Sequence, residues 1–261
     1  MSEAAGHAVV WEIVRDGVML VTMQGPRANA LGPLIADGLR AALDEADRRG
    51  NIKVVAIASA YPAYFAAGAD ISHMAGIDGE SFAAYAEVLR AVLDRLAGSD
   101  RITIAVVEGL ALGGGLELAM ACTLRVGAAA AQFGLPEVRL GLIPGVGGTQ
   151  RLPRLVGRAR ALDIMLTARH VPAEEAKAMG LIDRLVPEGE ALTATLALAE
   201  GLVAMSHPAQ QAVIRTVDAA FDLPLAQGLR FEAEQVQRLF EDGEAEEGLA
   251  AFLQKRTPKF A

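Results

Sequence analysis

Short runs of apolar, largely β-branched residues mark the first half of the chain and predict β-strands. The first two runs flank Asp16-Gly17, a dipeptide that favours a tight hairpin. The run from Ile52 to Ser59 is almost uninterrupted, as expected of a strand buried on both faces of a parallel sheet. The predicted strands are Val9 to Arg15, Val18 to Met23, Ile52 to Ser59, Ile102 to Val107 and Thr123 to Gly127.

Elsewhere apolar residues recur with the spacing of amphipathic helices. The pattern that begins at Pro33 ends at Gly50, a typical helix stop. After Pro187 the strand pattern ceases and only helical patterns follow. The predicted helices are Pro33 to Arg49, Ser81 to Ala97, Leu116 to Cys122, Glu190 to Ala204, Pro208 to Ala220, Leu225 to Phe240 and Glu244 to Gln254.

The order of these elements predicts an α/β protein with two regions. A strand-rich unit followed by a helix recurs along the first two-thirds, without a repeat of fixed sequence period. We therefore predict an α/β core over residues 1–205 and a helical C-terminal region over residues 206–261. With 261 residues, of which 52% are hydrophobic, the chain can bury one large core and a modest appendage.

Composition narrows the classes of function. A net charge of −8 argues against nonspecific nucleic-acid binding, although local cations can still hold an anionic ligand. Cys122 is the only cysteine, so the chain has no intramolecular disulfide and a reducing compartment fits best. The first residues lack a signal-peptide pattern, and no run of about 18 apolar residues is uninterrupted. We expect a cytoplasmic protein without nucleic-acid or membrane partners.

Metal and nucleotide motifs are missing from the sequence. The four histidines, His7, His73, His170 and His207, do not have the spacing of metal ligands, so no metal is expected. Neither a Gly-x-Ser-x-Gly nucleophile turn nor a glycine-rich phosphate loop of the common types occurs. The chemistry must therefore come from other residues.

Four glycine- or alanine-marked segments are candidates for a site. They are Ala28 to Leu31, Phe65 to Ile71, Leu112 to Glu117, and Leu135 to Arg151. The second and third follow predicted buried strands, so they should lie at the carboxyl ends of strands, where α/β sheets bind ligands. Glycines that open a helix leave backbone N–H groups free to stabilise a developing oxyanion. From spacing alone, glycines that merely permit tight turns and close packing are an equally good explanation.

Two carboxylates accompany the last two segments. Glu117 is predicted to lie on a helix that is apolar on nearly every side and is therefore buried. Its ordinary explanation is a first-turn glutamate that favours the helix dipole while reaching solvent. Glu137 follows Pro136 in a glycine-rich loop region, where an exposed carboxylate is the simplest expectation. Taken singly, neither residue establishes a catalytic site.

Taken together and in order, these segments resemble the crotonase, or enoyl-CoA hydratase/isomerase, superfamily. The residues that carry the likeness are Asn29-Ala30-Leu31, Phe65 to Ile71, Gly113 to Cys122, Pro136-Glu137 and Gly145 to Arg151, followed by Pro172 to Leu181 and Lys255 to Phe260. The resemblance implies a spiral of ββα units, with two nearly perpendicular β-sheets surrounded by helices. It also implies a helical C-terminal trimerisation region, and hence a homotrimer or homohexamer.

The resemblance further implies where an acyl-CoA thioester would bind. The oxyanion hole would be formed by the backbone N–H groups of Ala69 and Gly114. Glu117 and Glu137 match the two catalytic carboxylates of the hydratases, and no cofactor is needed. The substrate would contact Ala28, Ala30, Ala66, Gly68, Asp70, Ile71, Gly113 and Pro136, with Met74, Ile77, Phe82 and Tyr85 around the acyl chain.

The favoured activity is the addition of water to a trans-2-enoyl-CoA, which gives a 3-hydroxyacyl-CoA. Glu117 is assigned mainly to the water and Glu137 mainly to proton transfer at Cα, with each group worth roughly 10²–10⁴-fold. The nearest alternative is an enoyl-CoA isomerase, which shifts a double bond with one carboxylate. A noncatalytic RNA-binding member of the family fits the negative charge poorly.

Overall fold

The computed structural model describes residues 8–260. His7 and the residues before it, where the sequence lacks a signal-peptide pattern, lie outside the described residues. The chain divides into two compact units that meet between Ala197 and Leu198, within the helix Ala191–Val203. The boundary predicted from the sequence lies after residue 205, close to the end of the same helix.

Ten strands form two sheets in the described part of the first unit. The larger sheet has the order β1-β2-β3-β5-β7-β10 and the smaller has the order β4-β6-β8-β9. The strands are β1 Val9–Arg15, β2 Val18–Met23, β3 Val54–Ser59, β4 Tyr64–Ala66, β5 Ile102–Val107, β6 Leu110–Leu112, β7 Leu124–Ala128, β8 Gln132–Gly134, β9 Val171–Pro172 and β10 Arg184–Val186.

The connection of these strands produces the predicted spiral. β3, β5 and β7 lie in the larger sheet, and each is followed by a strand of the smaller sheet before the chain enters the next helix or turn. β3, β5 and β7 pair in parallel, as do β4, β6 and β8. Successive turns of the chain therefore stack side by side, and equivalent strand ends become neighbours.

The helical segments are α1 Pro26–Asn29, α2 Pro33–Arg49, α3 Ile71–Met74, α4 Gly79–Ala97, α5 Gly114–Ala121, α6 Gly148–Val156, α7 Arg158–Thr167, α8 Ala173–Met179, α9 Ala191–Val203, α10 His207–Ala219, α11 Leu225–Asp242 and α12 Ala245–Leu253, with a 3₁₀ turn, η1, at Glu137–Leu140. None of them, over residues 8–260, is long and apolar enough to cross a membrane. The predicted hairpin and α2 are confirmed with the predicted bounds.

Other predicted elements have shifted ends. α4 begins at Gly79 rather than at Ser81, because the Asp78 side chain caps it by accepting a hydrogen bond from the Ser81 N–H. α5 begins at Gly114 rather than Leu116 and ends before Cys122, which has an extended backbone. The strand predicted from Ile52 starts at Val54.

The second unit consists of the end of α9 and helices α10 to α12 with the C-terminal segment. Within it, the Arg215 guanidinium donates to Gln235 Oε1 at 3.4 Å, which links α10 to α11. Arg256 pairs with both carboxylate oxygens of Glu247 and ties the last segment to α12. Large apolar side chains remain uncovered in this unit, among them Phe221, Leu225, Phe240, Phe252 and Leu253.

Candidate active site

The smaller sheet brings the site together at the carboxyl ends of three neighbouring strands. β4 leads into Gly68 and Ala69, β6 into Gly113 and Gly114, and β8 into Glu137. Because β4, β6 and β8 are adjacent and parallel, these segments meet at one edge, as ligand sites do in α/β sheets. Each of these three strands has only three residues.

A cavity of about 340 Å³ opens at this edge. Its walls include both glutamates and the glycine turns, and the remainder is mainly apolar. The lining residues predicted from the sequence are Ile71, Gly68, Ala69, Gly113, Gly114, Glu117, Pro136 and Glu137 at the reacting end, with Met74, Phe82 and Tyr85 on the apolar wall. Such a cavity suits a ligand with an apolar chain and one polar reacting group.

Glu117 is held as a fixed acceptor. It lies in the first turn of α5 with only 2% of its surface exposed. Its Oε1 accepts hydrogen bonds from the N–H groups of Val146 at 2.9 Å and Gly148 at 2.7 Å. Burial raises the pKa of Glu117 above its ordinary value, while these N–H donors and the charge of Arg151 oppose the rise. The sequence-based expectation that the apolar helix buries this side chain is confirmed.

Glu137 is built differently. The residue is half-buried and opens the 3₁₀ turn η1, and its Oε2 is buried without a hydrogen-bond partner among residues 8–260. Burial raises the pKa of Glu137 to about 7, and the negative charge of Glu117 adds to the rise. A carboxyl group with this pKa can be either protonated or ionised near neutral pH with little cost in free energy, which suits a group that transfers a proton. Glu137 is therefore not the ordinary surface glutamate that its loop suggested.

The amide of Ala69 faces the cavity. The Leu31 N–H donates to Gly68 O at 2.7 Å, which fixes the carbonyl of the peptide that joins Gly68 to Ala69. In a trans peptide the N–H points opposite to the C=O, so the Ala69 N–H points away from Leu31. Among the described residues, no backbone carbonyl accepts from this N–H.

The amide of Gly114 also has no backbone acceptor within residues 8–260, for a similar reason. Gly113 O accepts the first hydrogen bond of α5, from the Glu117 N–H at 3.0 Å, so the Gly114 N–H points out of the helix end. The Gly113 N–H is already used, since it donates to Gly134 O at 2.8 Å. A Cβ atom placed on Gly114 would lie 3.7 Å from Ala69 N, so the two residues are close neighbours on the cavity wall. Two convergent donors of this kind can bind an oxyanion.

Not every residue predicted to touch the substrate lies on the cavity wall. The cavity wall does not include Ala28, Ala30, Ala66, Asp70 or Ile77. Ala66 is fully buried, and its carbonyl oxygen packs against Gly115, where an added Cβ would come within 2.3 Å. Their predicted contacts with a bound ligand stay predictions.

Asn29 explains why the first segment has its sequence. The side chain is fully buried, accepts from the Gly25 N–H, and donates to Ser59 Oγ and Phe65 O at 2.8 and 3.0 Å. Arg27, Ala28 and Asn29 all have positive φ, between 51° and 59°, so the segment α1 is a left-handed turn. Asparagine tolerates this backbone better than most residues and also joins the turn to β3 and β4.

Three residues that help to build the site had no role assigned from the sequence. The N–H groups of Val146 and Gly148 orient Glu117, and their signal was the glycine run before a helix. Arg151 supports them from α6, since its guanidinium donates to Val146 O at 2.9 Å. Across residues 8–260, no group of three or more His, Cys, Asp or Glu side chains is arranged to hold a metal ion.

Comparison with known proteins agrees with this geometry. The model of the family enoyl-CoA hydratase/isomerase matches residues 14–261. A probable enoyl-CoA hydratase of Rhizobium meliloti is 41% identical over 244 residues, which cover 93% of this chain and 94% of that protein. A peroxisomal fatty acid beta-oxidation multifunctional protein of Arabidopsis thaliana is 42% identical over 211 residues, 79% of this chain and 29% of that protein.

Solved structures show the same architecture. The crystal structure of an enoyl-CoA hydratase from Bacillus anthracis matches with a TM-score of 0.93 and 31% identity, covering 97% of this chain and 98% of that one. The predicted crotonase-like fold, with two sheets surrounded by helices, is thereby confirmed. The chain belongs to the enoyl-CoA hydratase/isomerase family.

Proposed function

We propose that this protein is an enoyl-CoA hydratase, which adds water across the double bond of a trans-2-enoyl-CoA. The observation that carries the proposal is that a buried and a half-buried glutamate share one apolar cavity with two free backbone amides. The names of the relatives support the same activity.

The arrangement fits the charge changes of the reaction. As water adds at Cβ, negative charge develops on the thioester oxygen, and the Ala69 and Gly114 N–H groups would stabilise it. Glu117, held by two N–H donors, would accept a proton from the water through its second oxygen. Glu137, with a pKa of about 7, would deliver the proton to Cα.

The two glutamates act as one unit in this scheme. Hydration needs one proton on the pair, on Glu137 before the reaction and on Glu117 after it, so the pair must be reset between turnovers. The charge of Glu117 affects the pKa of Glu137, so the two titrations are coupled. The pKa values therefore belong to the pair, and the assignment of the proton to one residue describes one step of the reaction.

Isomerisation of a 3-enoyl-CoA is the second candidate function. It needs one carboxylate to move a proton from one carbon to another, together with the same oxyanion hole. The unpartnered oxygen of Glu137 favours this residue for that role. The firm anchoring of Glu117 has no use in isomerisation, and for this reason hydration is preferred.

The ligand and assembly follow from the same framework. The substrate would be an acyl-CoA thioester whose chain lies along Met74, Phe82 and Tyr85, and the reaction needs no cofactor or metal. A role in fatty-acid β-oxidation is supported by the relative from Arabidopsis. We place the protein in the cytoplasm, in accord with its composition. Exposed apolar side chains such as Phe252, which is 81% exposed, support a homotrimer or homohexamer formed through the C-terminal unit.

The test is a panel of substrates. Trans-2-enoyl-CoA thioesters of graded chain length are mixed with the protein in EDTA, and loss of the conjugated thioester absorbance is followed. A matched panel of 3-enoyl-CoA thioesters is followed for gain of that absorbance. We expect hydration to be the faster reaction. No water addition to any 2-enoyl-CoA, together with efficient double-bond migration, would establish the isomerase instead. Light scattering in the same buffer measures the assembly, and a monomer with full activity would overturn the oligomer.

A further inference from the structure

Tyr85 is a buried phenol on the cavity wall. It lies on α4, has 8% of its surface exposed, and is one of three tyrosines in the chain. The α4 residues Leu89, Val92, Leu93 and Leu96 are also buried, so the helix face that carries Tyr85 is firmly packed. The helix that carries the ring is therefore held in place, and the ring forms part of the cavity wall.

The hydroxyl of Tyr85 joins two backbone segments. It donates to Leu31 O and accepts from the Asp70 N–H at 3.3 Å. Burial raises the pKa of the phenol, so it stays protonated and can donate and accept at once. Leu31 and Asp70 are also hydrogen-bonded directly, but at 3.4 Å between Asp70 N and Leu31 O. The hydroxyl is inserted beside a long and weak backbone bond.

Both of these segments determine the direction of one oxyanion-hole donor. Leu31 fixes the peptide between Gly68 and Ala69 through its N–H, and Asp70 is the next residue after Ala69. Leu31 and Asp70 therefore bracket the Ala69 N–H, and the Tyr85 hydroxyl bonds the backbone of each. Without the hydroxyl, Asp70 N and Leu31 O would approach to an ordinary hydrogen-bond distance and carry the Ala69 peptide with them.

We propose that Tyr85 is a positioning residue for the oxyanion hole, which aims the Ala69 N–H by holding Leu31 and Asp70 apart at a fixed distance. The inference rests on the proposed hydratase function. It assigns the tyrosine a role beyond forming part of the apolar wall. The ring forms part of the cavity wall, and the hydroxyl keeps the Ala69 N–H correctly oriented. The phenol is not itself a donor of the oxyanion hole.

The test separates the hydroxyl from the ring. Tyr85→Phe removes one oxygen and keeps the wall of the cavity. Tyr61→Phe is the matched control, because the exposed Tyr61 hydroxyl also donates to a backbone carbonyl, Gln24 O, at 3.2 Å, away from the cavity. For each protein we measure kcat and KM for hydration, the thermal midpoint, and the absorbance shift of a bound aromatic enoyl-CoA, which reports polarisation of the thioester carbonyl.

We expect Tyr85→Phe to lower kcat by about 10-fold, with KM unchanged and a smaller absorbance shift, because a displaced donor loses transition-state stabilisation. Tyr61→Phe should match wild type in all three readouts. Equal kcat and equal absorbance shift in the two variants would overturn the inference. The shift is read well below the thermal midpoint, so a loss of stability cannot imitate the effect. If wild type polarises the ligand but hydrates nothing, the proposed function fails while the role of Tyr85 is still measured.

Discussion

Two glutamates enter one cavity from walls that are built differently. The Glu117 wall is a helix facing a glycine turn, and two N–H groups bind one carboxylate oxygen. The Glu137 wall is a single 3₁₀ turn after β8, and one carboxyl oxygen is buried without a partner among residues 8–260. One glutamate is therefore anchored by two hydrogen bonds, and the other has a carboxyl oxygen without a partner among those residues.

These two walls show how a fold can separate two roles for one residue type. Backbone donors favour the charged form of Glu117 and oppose the effect of its burial. Glu137 has no such compensation beyond its own N–H, so burial raises its pKa to about 7. An anchored group is suited to hold a water, and an unsatisfied one is suited to exchange a proton.

The largest effect should come from neutralising the carboxylates. Glu117→Gln and Glu137→Gln should each lower kcat for hydration by about 10³-fold or more, and the double variant should lose much less than the product of the two. Steady-state kinetics and CoA binding by calorimetry measure this, with binding expected to be retained. If Glu117→Gln spares isomerisation of a 3-enoyl-CoA while Glu137→Gln abolishes it, the two roles are separated. Strictly multiplicative losses would mean that the residues do not share one water.

A smaller effect should follow from crowding each carboxylate in turn. A Cβ on Gly148 would lie 3.0 Å from Glu117 Oε1 and 2.7 Å from Pro144 Cβ, so Gly148→Ala should displace Glu117. A Cβ on Gly113, where φ is +51°, would lie 2.9 Å from Glu137 Oε1. We expect both variants to lose about 10²-fold in kcat, since small misplacements at a reacting centre are costly.

The controls for the glycine variants use open positions. An added Cβ would have no neighbour within 4 Å at Gly79 or at Gly50. Gly50 resembles Gly113 in having a positive φ, +72°. Gly79→Ala controls for Gly148→Ala, and Gly50→Ala controls for placing an alanine at a positive φ in Gly113→Ala. Should Gly113→Ala keep wild-type kcat after losing stability as Gly50→Ala does, the contact with Glu137 is unimportant.

The pH profile should show which glutamate holds the proton. Activity requires one proton on the pair, so it should fall about tenfold per pH unit above about 7, where Glu137 loses its proton. It should also fall at acid pH, once Glu117 is protonated, at a limit above the ordinary glutamate value. Hydration and dehydration should share both limits in kcat/KM, because the overall equilibrium does not involve protons. An alkaline limit that persists in the residual activity of Glu137→Gln would assign it to another group.

The smallest effect concerns stability. The pKa of Glu137 is raised in the folded protein, so its ionisation costs folding free energy, and that cost grows as pH rises from about 4.5 through about 7. Glu137→Gln should match wild type in thermal midpoint near pH 4 and exceed it at pH 8 by about 2–4 °C. Glu117→Gln should show no such gain, because it weakens two N–H bonds. A pH-independent difference for Glu137→Gln would contradict the raised pKa.

The sequence was informative where a pattern is local. The hairpin, α2 and the burial of Glu117 were all predictable, since each depends on residues close in the chain. The strands of the smaller sheet were not predicted, because two or three residues are too few for an alternating pattern to appear. α6 was also unassigned, and Pro153 inside it weakens the helical signal.

The same distinction between local patterns and long-range contacts applies to the site. Resemblance to a family pointed to both glutamates and to both proposed amide donors, and all four residues line one cavity. The unpartnered oxygen of Glu137 and the bridge made by Tyr85 depend on segments far apart in sequence, such as Leu31 and Asp70. No pattern along one chain reports such meetings, so these features required the structure.

The pairing of β4 with β6 has a consequence for how this protein tolerates mutation. The Ala69 and Gly114 N–H groups, which we propose as the oxyanion donors, follow two neighbouring parallel strands, β4 and β6. Both donors are main-chain groups, so almost any point mutation at Ala69 or Gly114 leaves an N–H in the gene product, proline excepted. Selection must therefore preserve the register of these two short strands. Harmful variants that spare both glutamates are therefore expected at glycines in close backbone contact, such as Gly109 and Gly115.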